Sequence, residues 1–190
     1  GISLRQQEGN LDATETGTHW NLASSARWMA ESGSVRMKEV YGTNSSSTSN
    51  YAQILLYAGY ANRLMGENFC CAVIDGGSAE AGTVYFDRAL TNFSEAIAVA
   101  AASGDADIAT AAKAGRASVY ASQAKWADAL SDANAVLTAG GDNFKYAIPY
   151  FTTSTTVYNR IYYATSGLGP YRAGTVWHTA YEEYSQSAND

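Results

Sequence analysis

The side chains best suited to holding a polar ligand gather late in the chain: Tyr158, Asn159, Arg160, Tyr162, Tyr163, Tyr171 and Arg172. A pyranose ring offers an apolar face to an aromatic ring and hydroxyls to amide, carboxylate or guanidinium groups. Tyrosine and tryptophan supply the aromatic surface with few rotors to freeze. The bland alternative is a small hairpin whose tyrosines alternate between core and surface. Trp177 and His178 could extend the set, although a tryptophan in a helical stretch serves more often in a core.

Other chemistry finds little footing. Glu182 and Glu183 are adjacent, so on a helix they point about 100° apart and cannot face one cleft as a hydrolytic pair must. Neither a Gly-x-Ser-x-Gly elbow nor a His-Glu-x-x-His pair occurs in the sequence. No catalytic residue is therefore assigned. Asp75-Gly76-Gly77 could bring backbone close to a ligand, but a plain turn explains it as well, and no Gly-Lys-Ser/Thr follows to make a phosphate loop. Cys70 and Cys71 read as free thiols packed as small apolar residues after a helix. Only His19 and His178 could join them around a metal, and neither has a partner at ligand spacing. No metal or cofactor site is expected. Trp126, Trp20 and Trp28 read as core anchors rather than ligand platforms.

Composition narrows the partners. A formal net charge of −6 and a pI near 4.8 argue against general nucleic-acid binding, which needs a basic footprint. At 46% hydrophobic and 16% charged residues, 190 residues can bury a proper core. The longest apolar run, Ala96 to Ala102, is far short of the roughly 20 residues that span a bilayer. The chain opens on Gly1 rather than methionine, which reads as a processed or engineered terminus.

The elements that must carry these residues are helices. Phe86, Leu90, Phe93 and Ile97 are spaced four, three and four apart; so are Ile108, Ala112, Gly115 and Val119, and again Trp126, Leu130, Ala133 and Leu137. That spacing lines one helical face. Expected helices run from about Trp20 to Tyr41, with a break at Ser32-Gly33-Ser34, then Tyr51 to Met65 with Gly66 as the stop, and Thr83 to Ala102. Two more follow: one N-capped by Asp105, and one from Trp126 to Thr138. The Ala121 to Lys125 link leaves room for a tight turn only, so neighbours run antiparallel. Residues 1–18 read as an extended arm and Asn44 to Asn50 as a mobile loop. Beyond Gly141, aromatic and β-branched residues at Phe144, Tyr146, Ile148 and from Val157 to Tyr163 suggest extended segments or a hairpin. Eight of the fourteen tyrosines lie between Tyr146 and Tyr184. A final helix is expected near 175–186. The class is all-α: antiparallel helix pairs with a short tyrosine-rich segment near the C-terminus.

The order of these pieces resembles the SusD/RagB family of outer-membrane nutrient-binding lipoproteins. The residues that carry the resemblance are Leu64-Met65-Gly66-Glu67-Asn68-Phe69, then Asp75-Gly76-Gly77, then Ala89-Leu90-x-x-Phe93-x-x-Ala96-Ile97. Ala112-x-x-Gly115-Arg116-Ala117-x-Val119-Tyr120 and Trp126-Ala127-Asp128-Ala129-Leu130-x-x-Ala133 complete the run, with a looser match at Asn159-Arg160-Ile161-Tyr162-Tyr163. The resemblance implies a single tetratricopeptide-like helical domain over 1–190. It also implies lipid anchorage on the outer face of the outer membrane, a TonB-dependent transporter as partner, and a glycan or other nutrient as ligand. The chain departs from the family in lacking the lipidated cysteine and in its length, that of a short member or a fragment. A tetratricopeptide-like scaffold that binds a protein or peptide in its groove is the alternative.

Overall fold

A computed structural model describes residues 13–148 and 150; among these the fold is all-α apart from one small hairpin. Helix α1 spans Ala13–Tyr41 and is followed by a 3-10 turn at Gly42–Ser47. Helix α2 spans Ser49–Asn68, strands β1 and β2 span Cys71–Val73 and Ala79–Ala81, and helices α3, α4 and α5 span Thr83–Ser103, Ala106–Ser122 and Trp126–Gly140. These elements belong to one compact unit, Leu11–Tyr146. Each helix packs on the next in sequence, and α2 also touches α4. Among the described residues no helix is long and apolar enough to cross a membrane.

Asp105 organises the middle of the fold. Gly104, in the left-handed region at φ 76°, ends α3, and the Asp105 N–H donates to the Ala100 carbonyl at 2.9 Å, closing a Schellman motif. The Asp105 carboxylate then accepts from the Ile108 N–H at 3.1 Å, capping α4 as its residue type predicts. The same carboxylate accepts from the Ser49 hydroxyl at 2.5 Å, which ties the start of α2 to that corner. The α4 to α5 turn repeats the closure with a less suitable residue: Ala124 sits at φ 56° while the Lys125 N–H donates to the Tyr120 carbonyl at 2.9 Å.

The core is centred on Phe93, fully buried in α3. A Cβ added at Gly59 of α2 or at Gly115 of α4 would stand 2.5 Å from its ring, so these two glycines admit the ring between two backbones. Tyr60 meets Phe93 edge-on at 5.2 Å, a favoured aromatic geometry, and donates its hydroxyl to the Ala111 carbonyl at 3.1 Å. Leu55, Leu56, Ala89, Ala96, Ala112 and Val119 are among the buried residues packed around Phe93.

Several local expectations are corrected. Helix α1 spans Ala13–Tyr41 and so takes in residues 13–18 of the stretch expected as an arm. It also runs unbroken through Ser32-Gly33-Ser34. Gly33 is there for packing: a Cβ would lie 2.5 Å from Ile54 Cδ1. Gly66 is likewise not a stop. Helix α2 continues to Asn68, and a Cβ at Gly66 would lie 2.8 Å from the Phe86 ring. The segment expected as a mobile loop is the 3-10 turn and the start of α2. Its hydroxyls satisfy its own backbone: Ser45 donates to the Gly42 carbonyl at 2.8 Å and Thr48 to the Asn44 carbonyl at 2.7 Å. Phe144 and Tyr146 are partly buried against the core in backbone that forms no strand.

Helix α5 departs furthest. Trp126, Leu130 and Leu137 are 67%, 62% and 53% exposed, so Trp126 is not a core anchor in this unit. The helix turns instead on Asp132, its one buried residue. Arg116 of α4 donates to that carboxylate through Nε at 2.7 Å and Nη2 at 2.8 Å, and its Nη1 donates to Ser94 of α3 at 3.0 Å. This two-pronged charged pair fixes the rotation of α5 and leaves its apolar stripe outward.

Candidate functional site

The hairpin forms where Asp75-Gly76 stands. Asp75 and Gly76 are at φ 52° and 79°, and the Gly77 N–H donates to the Ile74 carbonyl at 2.8 Å. Positive φ at both central residues defines a type I′ turn, the connection whose twist suits an antiparallel pair. Cys71, Ala72 and Val73 then pair with Ala81, Glu80 and Ala79. Asp75-Gly76-Gly77 is therefore a turn, and the turn also aims a carboxylate.

That carboxylate meets α1. Trp20, Ser24, Arg27 and Trp28 recur at helical spacing on one face of α1, and with Ser25, Val73, Asp75 and Gly76 they line a groove of about 370 Å³ between α1 and the hairpin. Trp20 is half-buried and packs edge-on against Phe69 at 4.9 Å. Trp28 is 57% exposed, which overturns its reading as a core residue. Arg27, itself buried, donates from Nη2 to Asp75 at 2.7 Å.

Behind the groove lies a charged network. Arg27 also donates from Nη1 to Glu31 at 2.5 Å. Glu31 accepts further from Arg88 Nε at 3.0 Å, Arg88 Nη2 at 2.7 Å and Asn62 Nδ2 at 2.8 Å. Burial by itself raises the Glu31 carboxyl, but the hydrogen bonds of Arg88 and Asn62 and the charges of Arg88 and Arg27 outweigh it and hold the group below the usual carboxylate range. Burial likewise opposes the charge on Arg27, yet the hydrogen bond to Asp75 and the Glu31 charge win and keep it firmly protonated. Two buried atoms of the network, Arg27 Nε and Asn62 Oδ1, find no hydrogen-bond partner among the described residues.

The groove sets an aromatic ring among polar groups. Trp28 offers an exposed ring face, and Ser24, Ser25 and Asp75 offer hydroxyl and carboxylate groups beside it. Among its described lining residues the one carboxylate, Asp75, is paired to Arg27. A larger cleft of about 520 Å³ lies between His19, Leu22, Ala26, Leu64 and Phe69. It is mainly apolar, with the His19 imidazole and the Asn68 amide as its polar groups. Among the described residues no three His, Cys, Asp or Glu side chains gather around a common point.

The residues singled out for ligand binding in the sequence, Tyr158, Asn159, Arg160, Tyr162, Tyr171 and Arg172, lie outside the described residues, as do Trp177 and His178. The sequence reading missed Arg27, Glu31, Asn62 and Arg88. The Arg27 to Glu31 spacing is a readable i,i+4 ion pair, whereas the reach of Arg88 across from α3 has no local signal. Compared with family models, curated proteins and solved structures, the chain matches none.

Proposed function

We propose that this chain is a non-catalytic nutrient-binding protein of the SusD/RagB kind. It captures a glycan at the outer-membrane surface, as a lipoprotein, and hands it to a TonB-dependent transporter. The observation that carries the binding reading is Trp28: a large, exposed aromatic ring set beside the Arg27–Asp75 pair and two serines in one groove. Exposed aromatic faces with adjacent polar groups are what a sugar ring requires, and the tyrosine-rich stretch from Tyr158 to Arg172 supplies more of the same materials. The family assignment and the surface location rest on the ordered residues from Leu64 to Ala133.

Calorimetry of the chain against a panel of soluble oligosaccharides tests the reading. At least one should bind with measurable heat, and Trp28→Ala should weaken it by about tenfold or more, the cost of losing one aromatic platform. Tyr162→Ala and Tyr171→Ala should each weaken it as well. Silence across the whole panel sinks the glycan reading.

The second reading is a scaffold for a helical peptide. It is favoured by the groove between α4 and α5, where Ala117, Ala121, Ala129 and Ala133 form a floor beside the exposed Trp126 and Leu130. An amphipathic helix fits such a floor. Trp126→Ala would then abolish peptide binding and leave oligosaccharide binding intact.

A further inference from the structure

Cys70 and Cys71 do not pack as small apolar residues. Both are free and exposed, and their sulfurs lie 3.5 Å apart. Neighbouring residues within a strand point to opposite faces. Cys70, however, stands in the bend just before β1, and the bend brings the two thiols to the same side. The backbone around them is held from three directions. Cys71 stands opposite Ala81 in the ladder, and the Gly82 N–H donates to the Cys70 carbonyl at 3.1 Å. Phe69, immediately before, is packed on Trp20. Gly82 cannot carry a side chain without moving this corner, since a Cβ would stand 2.7 Å from the Phe69 carbonyl oxygen.

The separation selects a coordination geometry. With metal–sulfur bonds of about 2.3 Å, sulfurs 3.5 Å apart subtend roughly 100° at a bridged atom. A linear two-coordinate ion would need the sulfurs about 4.6 Å apart. Among the described residues no third His, Cys, Asp or Glu joins the pair, so the matched guest is one satisfied by two protein sulfurs and its own substituent. Thiolates favour soft centres.

We propose that Cys70 and Cys71 form a bidentate dithiol site for a soft, thiophilic centre with two adjacent open positions, a monosubstituted trivalent arsenical being the matched form. The bonds balance without a redox partner. Two S–H bonds and the arsenic–oxygen bond of an arsine oxide are exchanged for two As–S bonds and one water, and arsenic remains trivalent. The site is independent of the ligand groove and of the nutrient-binding reading.

Phenylarsine oxide and intact-mass spectrometry of the folded chain test the site. One adduct per chain is expected, stable to excess glutathione and removed by a small dithiol. Cys70→Ser and Cys71→Ser should each lose the adduct while helicity is unchanged, since both side chains are exposed. The folded chain should bind about tenfold more tightly than a synthetic peptide of residues 66–82, because the fold pre-sets the pair. An adduct stripped by glutathione, two adducts per chain, an adduct in either serine variant, or equal affinity in the free peptide would each overturn the proposal.

Discussion

Removing the Glu31 carboxylate is the sharpest test of how α1 is held. In Glu31→Ala, Arg27 loses one of its two acidic partners. Its side chain is only 4% exposed and its remaining partner, Asp75, is 54% exposed. Arg88, at 37%, can turn to water, and Asn62 keeps its bond to the Ala58 carbonyl at 2.9 Å. The loss is therefore dominated by one buried guanidinium. Breaking a buried pair costs roughly 3–5 kcal/mol. Glu31 is itself 16% exposed, which places the expectation at the lower end, about 3 kcal/mol. With a urea slope of about 2 kcal/mol per molar, the midpoint should fall by about 1.5 M at unchanged slope. Both Glu31 oxygens accept, so Glu31→Gln removes the charge and turns one acceptor into an amide donor facing other donors. It should lose about as much as the alanine variant, roughly 3 kcal/mol. Acid supplies a second reading of the same group. Because its carboxyl is held low in the fold, its stabilisation is complete above the unfolded pKa near 4.3 and is lost as pH falls through the lower folded value. The gap between the natural chain and Glu31→Gln should accordingly close below about pH 4. A Glu31→Ala loss under about 1 kcal/mol, or a gap that stays constant from pH 7 to pH 3, would show that the network is only a solvated surface cluster.

Four further outcomes are expected. Phe93→Ala should cost about 3–5 kcal/mol by thermal or urea unfolding, since it empties a fully enclosed ring site. Gly115→Ala should also destabilise, by about 1–3 kcal/mol despite alanine's better helix propensity, because the new Cβ meets the Phe93 ring. Ala124→Gly should stabilise by about 0.5–1 kcal/mol in the same assay, relieving a left-handed alanine; a loss would mean the α4 to α5 turn is misdescribed. In Cys70→Ser, alkylation of Cys71 at pH 8 should be faster than in the natural chain, because the neighbour that keeps its proton on has gone.

The helices of this fold were legible because apolar spacing and turn residues agree, and Asp105 was readable as a cap from residue type alone. Period, however, says which face of a helix is apolar and not whether another element covers it. The same template that placed Phe93 in the core placed Trp126 there too, and the Arg116–Asp132 pair rotates α5 so that Trp126 faces out. Glycine misled in the same way. Gly33 and Gly66 read as breaks from local propensity, but each answers to a side chain on another helix, Ile54 and Phe86, which no local rule contains. The hairpin was the readable miss: Asp-Gly is a strong type I′ signal, and recognising it would have drawn attention to the carboxylate that Arg27 holds. The exposure of Trp28 depends on where α1 lies against the hairpin, which the spacing of α1 alone cannot give.

The clamping of Phe93 between Gly59 and Gly115 has a consequence for how the unit comes apart. One ring engages α2, α3 and α4 together, so none of the three can open without releasing the other two. Helices α1 and α5 lie outside that clamp, and each adds a charged latch to its packing: Glu31 of α1 on Arg88 and on its own Arg27, and Asp132 of α5 on Arg116. Apolar enclosure gives way only when the whole centre does, whereas a carboxylate–guanidinium latch yields to protons and, at its exposed edge, to salt. Hydrogen exchange in the central three helices should therefore follow global unfolding, with the flanking two opening earlier and independently. The groove beside Trp28 hangs on the outer of these latches, so acid or salt can loosen its α1 wall while the centre remains closed.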